Sequence, residues 1–264
     1  MKIASWNVNS LNVRLPHLTQ WLADAQPDIV ALQETKLEDT KFPAEAINAL
    51  GYRVVFSGQK TYNGVAILAR AELTDVVTDI PGLDDPQRRI LAATVVNHAA
   101  NPGQSFRIVN LYVVNGQEVG SEKYAYKLNW LARVREFLAA EAQRHPNLVV
   151  LGDFNIVPDD RDVYDPVALK ETILLSTPER DALKGMLALG LHDTFRLFSE
   201  DAGQYSWWDY RMGAFRRNLG MRIDLILASE ALRNRCVAAT IDREPRRWER
   251  ASDHAPVLLE LRDV

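Results

Sequence analysis

Thiol chemistry is almost missing from this chain. Its 264 residues hold one cysteine, Cys236, which excludes an internal disulfide framework and a cysteine-rich zinc site. Histidine is scarce too, at five residues, and no two stand at the helical spacing a zinc hydrolase needs. No run of about 18 apolar residues occurs and no Lys/Arg-led apolar stretch opens the chain, so neither a membrane span nor a secretory signal is predicted. These absences set the expectation of a protein of the reducing cytoplasm. Net positive charge is also lacking. With 31 Lys and Arg against 35 Asp and Glu the formal charge is −4, so a polyanionic partner would have to be held by a local basic surface. Arg88 with Arg89, the stretch from Arg211 to Arg222 and the stretch from Arg243 to Arg250 are the candidates.

What is present fits one α/β domain spanning 1–264, because the length is enough for a sizeable core and no linker-like composition divides it. Ile3 to Trp6 reads as a strand, Leu11, Leu15, Leu18 and Leu22 carry helical spacing through Ala23, and Ile29 to Leu32 reads as the next strand. That is a βαβ unit with very short joints. A helix is expected over Phe42 to Leu50, stopping at Gly51, with strands at Tyr52 to Phe56 and Val65 to Ala69. Strands at Ile90 to Val96 and Phe106 to Tyr112 should pair antiparallel, since their connection is too short for a crossover helix. A long helix over Glu122 to Arg144 leads to the strand Leu148 to Leu151 and the tip Gly152-Asp153-Phe154-Asn155. Helical periodicity returns at Pro178 to Leu189. Short strands are expected at Tyr205 to Trp208, Ile223 to Ala228, Val237 to Ile241 and Pro256 to Leu261. Ile3 to Asn9 and Leu148 to Asn155 resemble each other, each an apolar strand followed by a polar tip ending in Asn. Two packed sheets would bring both tips to one rim.

The polar residues at such strand ends form an oxygen-rich set. Asn7, Asn9, Glu34, Asp153, Asn155, Asp224 and Asp253 are the donor types a hard cation prefers, magnesium in particular. Glu34 directly follows a strand and would project at the rim. Asp224 interrupts an apolar strand, and a buried carboxylate demands a partner. His254 is the natural one: a carboxylate on its imidazole would fix the tautomer and favour the charged form, aimed at a phosphate. Asp253 and His254 are adjacent, so in an extended segment they point to opposite sides and take different roles. Tyr112 ends a strand with a phenol able to donate to a phosphoryl oxygen. Each residue alone also has an ordinary structural explanation, as a loop acid, a satisfied histidine or an amphipathic strand end.

Taken in order, the segments Trp6-Asn7-Val8-Asn9, Leu32-Gln33-Glu34-Thr35-Lys36, Tyr62-Asn63-Gly64-Val65-Ala66, Gln87-Arg88-Arg89-Ile90, Gly152-Asp153-Phe154-Asn155, Ser206-Trp207-Trp208-Asp209-Tyr210-Arg211, Arg222-Ile223-Asp224 and Ser252-Asp253-His254-Ala255-Pro256-Val257 resemble the motifs of the exonuclease III and abasic-endonuclease family, within the endonuclease/exonuclease/phosphatase superfamily. The resemblance implies a four-layer α/β sandwich, two packed mixed β-sheets flanked by helices. It implies a magnesium-dependent DNA-repair phosphodiesterase, with manganese as a possible substitute, acting on damaged or nicked double-stranded DNA as a monomer. The resemblance makes Glu34 the principal metal ligand, with Asn7 and Asp253 close by and Asp153, Asn155 and His254 also within the metal's surroundings. Asp153 would position or deprotonate the attacking water, Asn155 and Asn9 would orient groups around it, Asp224 would hold His254, and His254 with Tyr112 would contact the scissile phosphate. Trp207, Trp208, Met221 and Ile223 would line a pocket for an extruded sugar lacking its base.

Two segments depart from, or vary within, the family's pattern. After Tyr112 the chain reads Val113-Val114-Asn115-Gly116, where many relatives carry Pro in place of Val114, and Asn115 lies in the loop expected to touch the DNA strand. The loop from Asp159 to Pro178 also differs between members. Abasic cleavage, 3′–5′ exonuclease action and 3′-phosphate removal share the metal site, and loop shape is expected to select among them. Two other readings remain at this point: a superfamily enzyme acting on lipid or inositol phosphates, and a non-catalytic DNA-binding homologue. The Trp207-Trp208 segment and the arginine clusters favour DNA, and Glu34, Asp153, Asp224 and His254 are all present.

Overall fold

A computed structural model describes residues 1–99 and 101–263. The chain opens with β1 (Lys2–Asn7), α1 (Leu11–Ala25) and β2 (Ile29–Gln33), followed by α2 (Ala44–Asn48), β3 (Arg53–Ser57) and β4 (Val65–Ala69). It continues with β5 (Glu72–Val77), β6 (Ile90–Val96), β7 (Phe106–Tyr112), α3 (Glu122–Arg144), β8 (Leu148–Asp153), α4 (Thr177–Leu187) and β9 (Leu191–Asp193). The last part holds β10 (Trp207–Trp208), α5 (Ala214–Arg217), β11 (Gly220–Met221), β12 (Asp224–Ser229), α6 (Glu230–Arg233), β13 (Cys236–Ile241) and β14 (Val257–Leu261).

Two mixed six-stranded sheets result, ordered β13-β14-β1-β2-β4-β3 and β5-β6-β7-β8-β12-β9. Each has one parallel pair at its centre, β1 with β2 and β7 with β8, and antiparallel pairs on both sides. The parallel pairs follow from α1 and α3, whose lengths let the chain cross over and re-enter in the same direction. The central strands are apolar on both faces because both faces are buried. Along β8, Val149 and Leu151 pack between the sheets, while Leu148 and Val150 pack outward against α3 and α4. Along β2, Ile29 and Ala31 face inward and Val30 and Leu32 face outward. Leu18, Trp21, Leu22 and Ile47 from α1 and α2 close that outer layer. The order of layers is therefore helix, sheet, sheet, helix, as the resemblance implies.

This alternation places the polar strand ends. Asn7, Tyr112, Asp153 and Asp224 all have the parity of inward-facing residues, at strand ends that meet at one mouth of the interlayer space. Gly152 makes this possible at β8: its φ is +143°, and a Cβ there would stand 1.9 Å from the Leu111 carbonyl oxygen on β7. Only glycine fits that approach.

The sequence reading differs from the structure in a few elements. β5 is an edge strand with a register shift between Thr74 and Val77, largely exposed, so it carries no apolar alternation to announce it. β9 and β11, three and two residues long, are too short for a periodic signal. The helix expected over Phe42 to Leu50 shrinks to α2, five residues long. Asp224 opens β12 instead of interrupting a strand, in register with Asp153 at the end of β8. Among the described residues no helix is long and apolar enough to cross a membrane.

Candidate active site

The floor of the site is a small hydrogen-bonded lattice across the two sheets. Asn7 Nδ2 donates to Glu34 Oε1 and to Asp153 Oδ2, each at 2.9 Å. The other Asp153 oxygen accepts the Asn155 N–H at 3.0 Å. In the same way Asn7 Oδ1 accepts the Asn9 N–H at 3.0 Å. The backbones of Asn9, Glu34 and Asn155 are left-handed, with φ of 43°, 51° and 46°. Asparagine tolerates that region and glutamate does not, so Glu34 is held in a conformation its neighbours must enforce. Its backbone oxygen accepts the Ser10 N–H at 2.7 Å, and the next residue, Thr35, accepts the Leu11 N–H at 3.0 Å.

His254 is buried beside this lattice. Its Nδ1 lies 2.8 Å from Asp224 Oδ2 and its Nε2 3.8 Å from Asp153 Oδ2. Burial alone would discharge the imidazole, but the carboxylates of Asp224 and Asp153 outweigh it and raise its pKa to about 10. Asp224 is itself fixed by Ser206, whose hydroxyl donates to Oδ2 at 2.7 Å and accepts the Ile223 and Asp224 N–H groups at 3.1 and 3.0 Å. The pKa of Asp153 is raised as well, which here favours the neutral form. Burial, only partly countered by the charge on His254, lifts its pKa to about 7. Tyr112, hydrogen-bonded to Glu34, is held well above the usual phenol range by burial and by the Glu34 and Asp153 carboxylates, so it stays a donor. The Arg89 guanidinium stacks 4.6 Å from its ring centroid.

Asp253 stands to one side, with Asn9 Nδ2 on Oδ1 and Trp207 Nε1 on Oδ2, both at 2.9 Å. Burial would raise its pKa, but His254 and these two donors bring it below the usual value. Asp253 and His254 take different partners, as adjacent residues in an extended segment must, yet both reach the same cleft. That cleft, of about 510 Å³, has Glu34, Tyr112, Asp153 and Asn155 on its polar side. Its apolar side is built by Leu169, Ile173, Leu174, Trp207, Met221 and Ile223, and Asn115 lies at its edge, donating to Asn155 Oδ1 at 3.3 Å.

Among the described residues, Glu34, Asp153 and His254 form a group whose ligand atoms all lie within 4.8 Å of one another. A partly exposed carboxylate, Glu34, and a buried one, Asp153, with the Asn7 amide between them suit a hard cation. A protonated imidazole does not donate a lone pair, so His254 fits a role beside the ion better than on it. Asn7 Oδ1 and Asn155 Oδ1 are engaged with Asn9 N and Asn115 Nδ2.

Two expectations need correction. Trp208 does not line the cleft: it is 0% exposed, packs edge-on to Phe215 and donates to Asn218 Oδ1 at 3.2 Å. It neighbours Trp207 on β10, so the two rings must leave opposite faces. Arg222 is not part of a basic surface. It is 1% exposed and clamped between Asp162 and Asp193. Arg243 and Arg246 are half-buried against Trp208, Phe215 and Tyr210, whereas Arg211, Arg216, Arg217 and Arg250 are exposed.

Several contributors escaped the sequence reading. Lys36 Nζ bridges Glu34 Oε2 at 3.0 Å and Asn9 Oδ1 at 2.6 Å, and Ser206 and Arg89 hold Asp224 and Tyr112 as described. Their motifs were visible, but a serine or arginine beside a site carries no signal of the side chain it will meet. Lys127 did carry one, as a charge on the otherwise apolar stripe Tyr124, Leu131, Val134 and Leu138 of α3.

Residues 4–254 match the model of the Endonuclease/Exonuclease/phosphatase family. Exodeoxyribonuclease III of Haemophilus influenzae is 33% identical over 271 residues, covering 99% of this chain and 100% of that protein. Among solved structures, a 3′ phosphatase from Neisseria bound to a product DNA hairpin superimposes with a TM-score of 0.94 at 48% identity, covering 99% of both chains. An AP endonuclease from Archaeoglobus fulgidus gives 0.92 at 38% identity, again over 99% of both. The chain belongs to the endonuclease/exonuclease/phosphatase family, within its exonuclease III group.

Proposed function

We propose that this nuclease is a magnesium-dependent DNA-repair enzyme that hydrolyses phosphoester bonds at 3′ ends and abasic sites, with removal of a 3′-phosphate its fastest reaction. The observation that carries the hydrolytic reading is the convergence of Glu34, Asp153 and His254 in a cleft of about 510 Å³ with an apolar wall. Similarity at 48% identity to a 3′ phosphatase and at 38% to an AP endonuclease supports both ends of the substrate range. The setting that fits is a monomeric, single-domain protein in the cytoplasm, working in base excision repair on damaged or nicked duplex.

Glu34 would hold the ion, with Asn7 and Asp253 close to it. When bound, magnesium would neutralise phosphoryl charge and lower the pKa of a coordinated water. Asp153, with a pKa near the working pH, suits the general base that takes a proton from the attacking water, and Asn7 and Asn155 fix the direction of its lone pairs. His254, kept cationic by Asp224, and Tyr112, kept protonated, would donate to the phosphoryl oxygens as their charge grows in the transition state. Trp207, Met221 and Ile223 would receive the sugar and select by shape against a nucleotide that keeps its base. Asn115 and Asn9 would contact the strand at the rim.

A panel of labelled duplexes tests the reading: one with an abasic site, one with a recessed 3′ end and one with a 3′-phosphate at a nick, each with magnesium and with EDTA. Product from the nicked 3′-phosphate at the highest rate, abolished by EDTA, is the expected result. No product from any duplex with magnesium would overturn it.

A further inference from the structure

Lys127 and Glu179 are both 0% exposed, and neither has a part in the chemistry above. An ammonium is costly to bury unless each of its donors is satisfied. Lys127 Nζ donates to Glu179 Oε1, to the Asn155 carbonyl at 2.7 Å and to the Asn115 carbonyl at 3.1 Å. Glu179 is equally occupied. It closes the capping box of α4, accepting from Ser176 N at 3.2 Å and Ser176 Oγ at 2.6 Å, and it also accepts from Leu174 N at 3.2 Å. Capping needs only Oε2. The second oxygen is turned toward Lys127 and Leu174.

The backbone groups gathered in this way belong to two separate segments, 113–121 before α3 and 154–176 before α4, and both supply walls of the cleft through Asn115, Asn155, Ile173 and Leu174. The Asn155 residue has a double engagement. Its carbonyl accepts from Lys127, and its N–H donates to Asp153 Oδ1 at 3.0 Å. A continuous path of hydrogen bonds thus runs from Glu179 through Lys127 and Asn155 to the carboxylate at the floor of the site. A buried ion pair is weak as a source of stability, since apolar residues of similar volume commonly replace one without loss. Its geometry is what an apolar pair could not reproduce.

We propose that Lys127 and Glu179 are positioning residues, a strut that locks the two cleft segments into one body and so fixes the orientation of Asp153 and the shape of the apolar wall. The inference rests on the hydrolytic reading of the site for its effect on rate, and on the structure alone for its effect on the segments.

The test uses the full chain carrying Lys127→Met, and the double variant Lys127→Met with Glu179→Gln, which leaves no unpaired buried charge should the single variant fail to fold. Three quantities are compared with the wild type: the single-turnover rate on a duplex with a 3′-phosphate at a nick, the Kd for that duplex in EDTA, and hydrogen exchange of the free protein. The expected result is a rate lowered on the order of 100-fold with Kd changed far less, and faster exchange confined to 113–121 and 154–176. A folded double variant with wild-type rate and wild-type exchange in both segments would overturn the strut. So would faster exchange spread evenly through α3, α4 and the sheets. A wild type inactive on this duplex with magnesium refutes the hydrolytic reading instead, and exchange still decides the strut.

Discussion

The tips of β1 and β8 are built alike and carry opposite hydrogen-bonding character. Each ends in a polar residue whose side-chain oxygen accepts the N–H two residues on at 3.0 Å, Asn7 from Asn9 and Asp153 from Asn155. Each has a buried apolar residue between, Val8 or Phe154, and then a left-handed asparagine. The difference lies in the atom left over. Asn7 presents an NH₂ group and Asp153 an oxygen, and the two meet at 2.9 Å. Two aspartates would put like charges in contact with Glu34 beside them, and two asparagines would leave no base. The shared turn is a local device, not the mark of a duplicated half. By connection the strand equivalent to β8 is β2, since each follows its crossover helix within a parallel pair. On that count Gln33, the last residue of β2, is the counterpart of Asp153, the last of β8, and Glu34 lies one residue beyond it.

The largest expected effect comes from erasing the difference at β8. Asp153→Asn keeps the shape and the turn but removes the base, and single-turnover cleavage should fall on the order of 1,000-fold while DNA affinity holds. An equal loss of binding and cleavage would assign Asp153 to substrate affinity. Erasing the difference at β1 is expected to do less. Asn7→Asp places a third carboxylate among Glu34 and Asp153, so activity should drop on the order of tenfold to 100-fold. The metal-free variant should melt below the wild type, with magnesium restoring part of the gap. A melting temperature indifferent to magnesium would argue against a cation between these groups.

The smallest effect concerns His254 and pH. Its pKa is raised in the folded protein, from an ordinary 6.5 to about 10, so the fold binds a proton there that the unfolded chain gives up first. The stabilisation is complete below about pH 6.5 and is lost as pH climbs toward 10. Asp153 is also raised, to about 7, so its contribution fades earlier, between its ordinary value and neutrality. A metal-free wild type should therefore lose melting temperature from pH 7 to pH 10 by more than His254→Gln does. Parallel curves for the two proteins would show that the imidazolium is not what holds Asp224 and Asp153 together.

Much of this site is legible in the amino-acid sequence. The inward parity of Asn7, Asp153 and Asp224 follows from counting along apolar strands, and the demand of Asp224 for a partner led to His254, which is where it points. The parts that were not legible depend on how segments distant in sequence meet. Opposite faces for Trp207 and Trp208 follow from the strand expected over Tyr205 to Trp208, but which of the two meets the cleft depends on how β10 pairs with β11. The burial of Arg222 depends on Asp162, sixty residues earlier, in a loop with no regular pattern. Lys127 shows the limit in another form: its place on an apolar stripe announced that it was buried, but nothing local could say that it would end on the carbonyls of Asn115 and Asn155.

The bond from Asn7 to Asp153 joins one sheet to the other. Side-chain volume in the apolar layer beneath, where Ile3, Ala31, Val149 and Leu151 interlock, sets the distance between those sheets. Turnover thus works as a gauge of sheet spacing: repacking that layer by a methyl group would shift the amide against the carboxylate, and damage far from the cleft would register as lost activity in a protein that has lost only about 1 kcal/mol of stability and still folds.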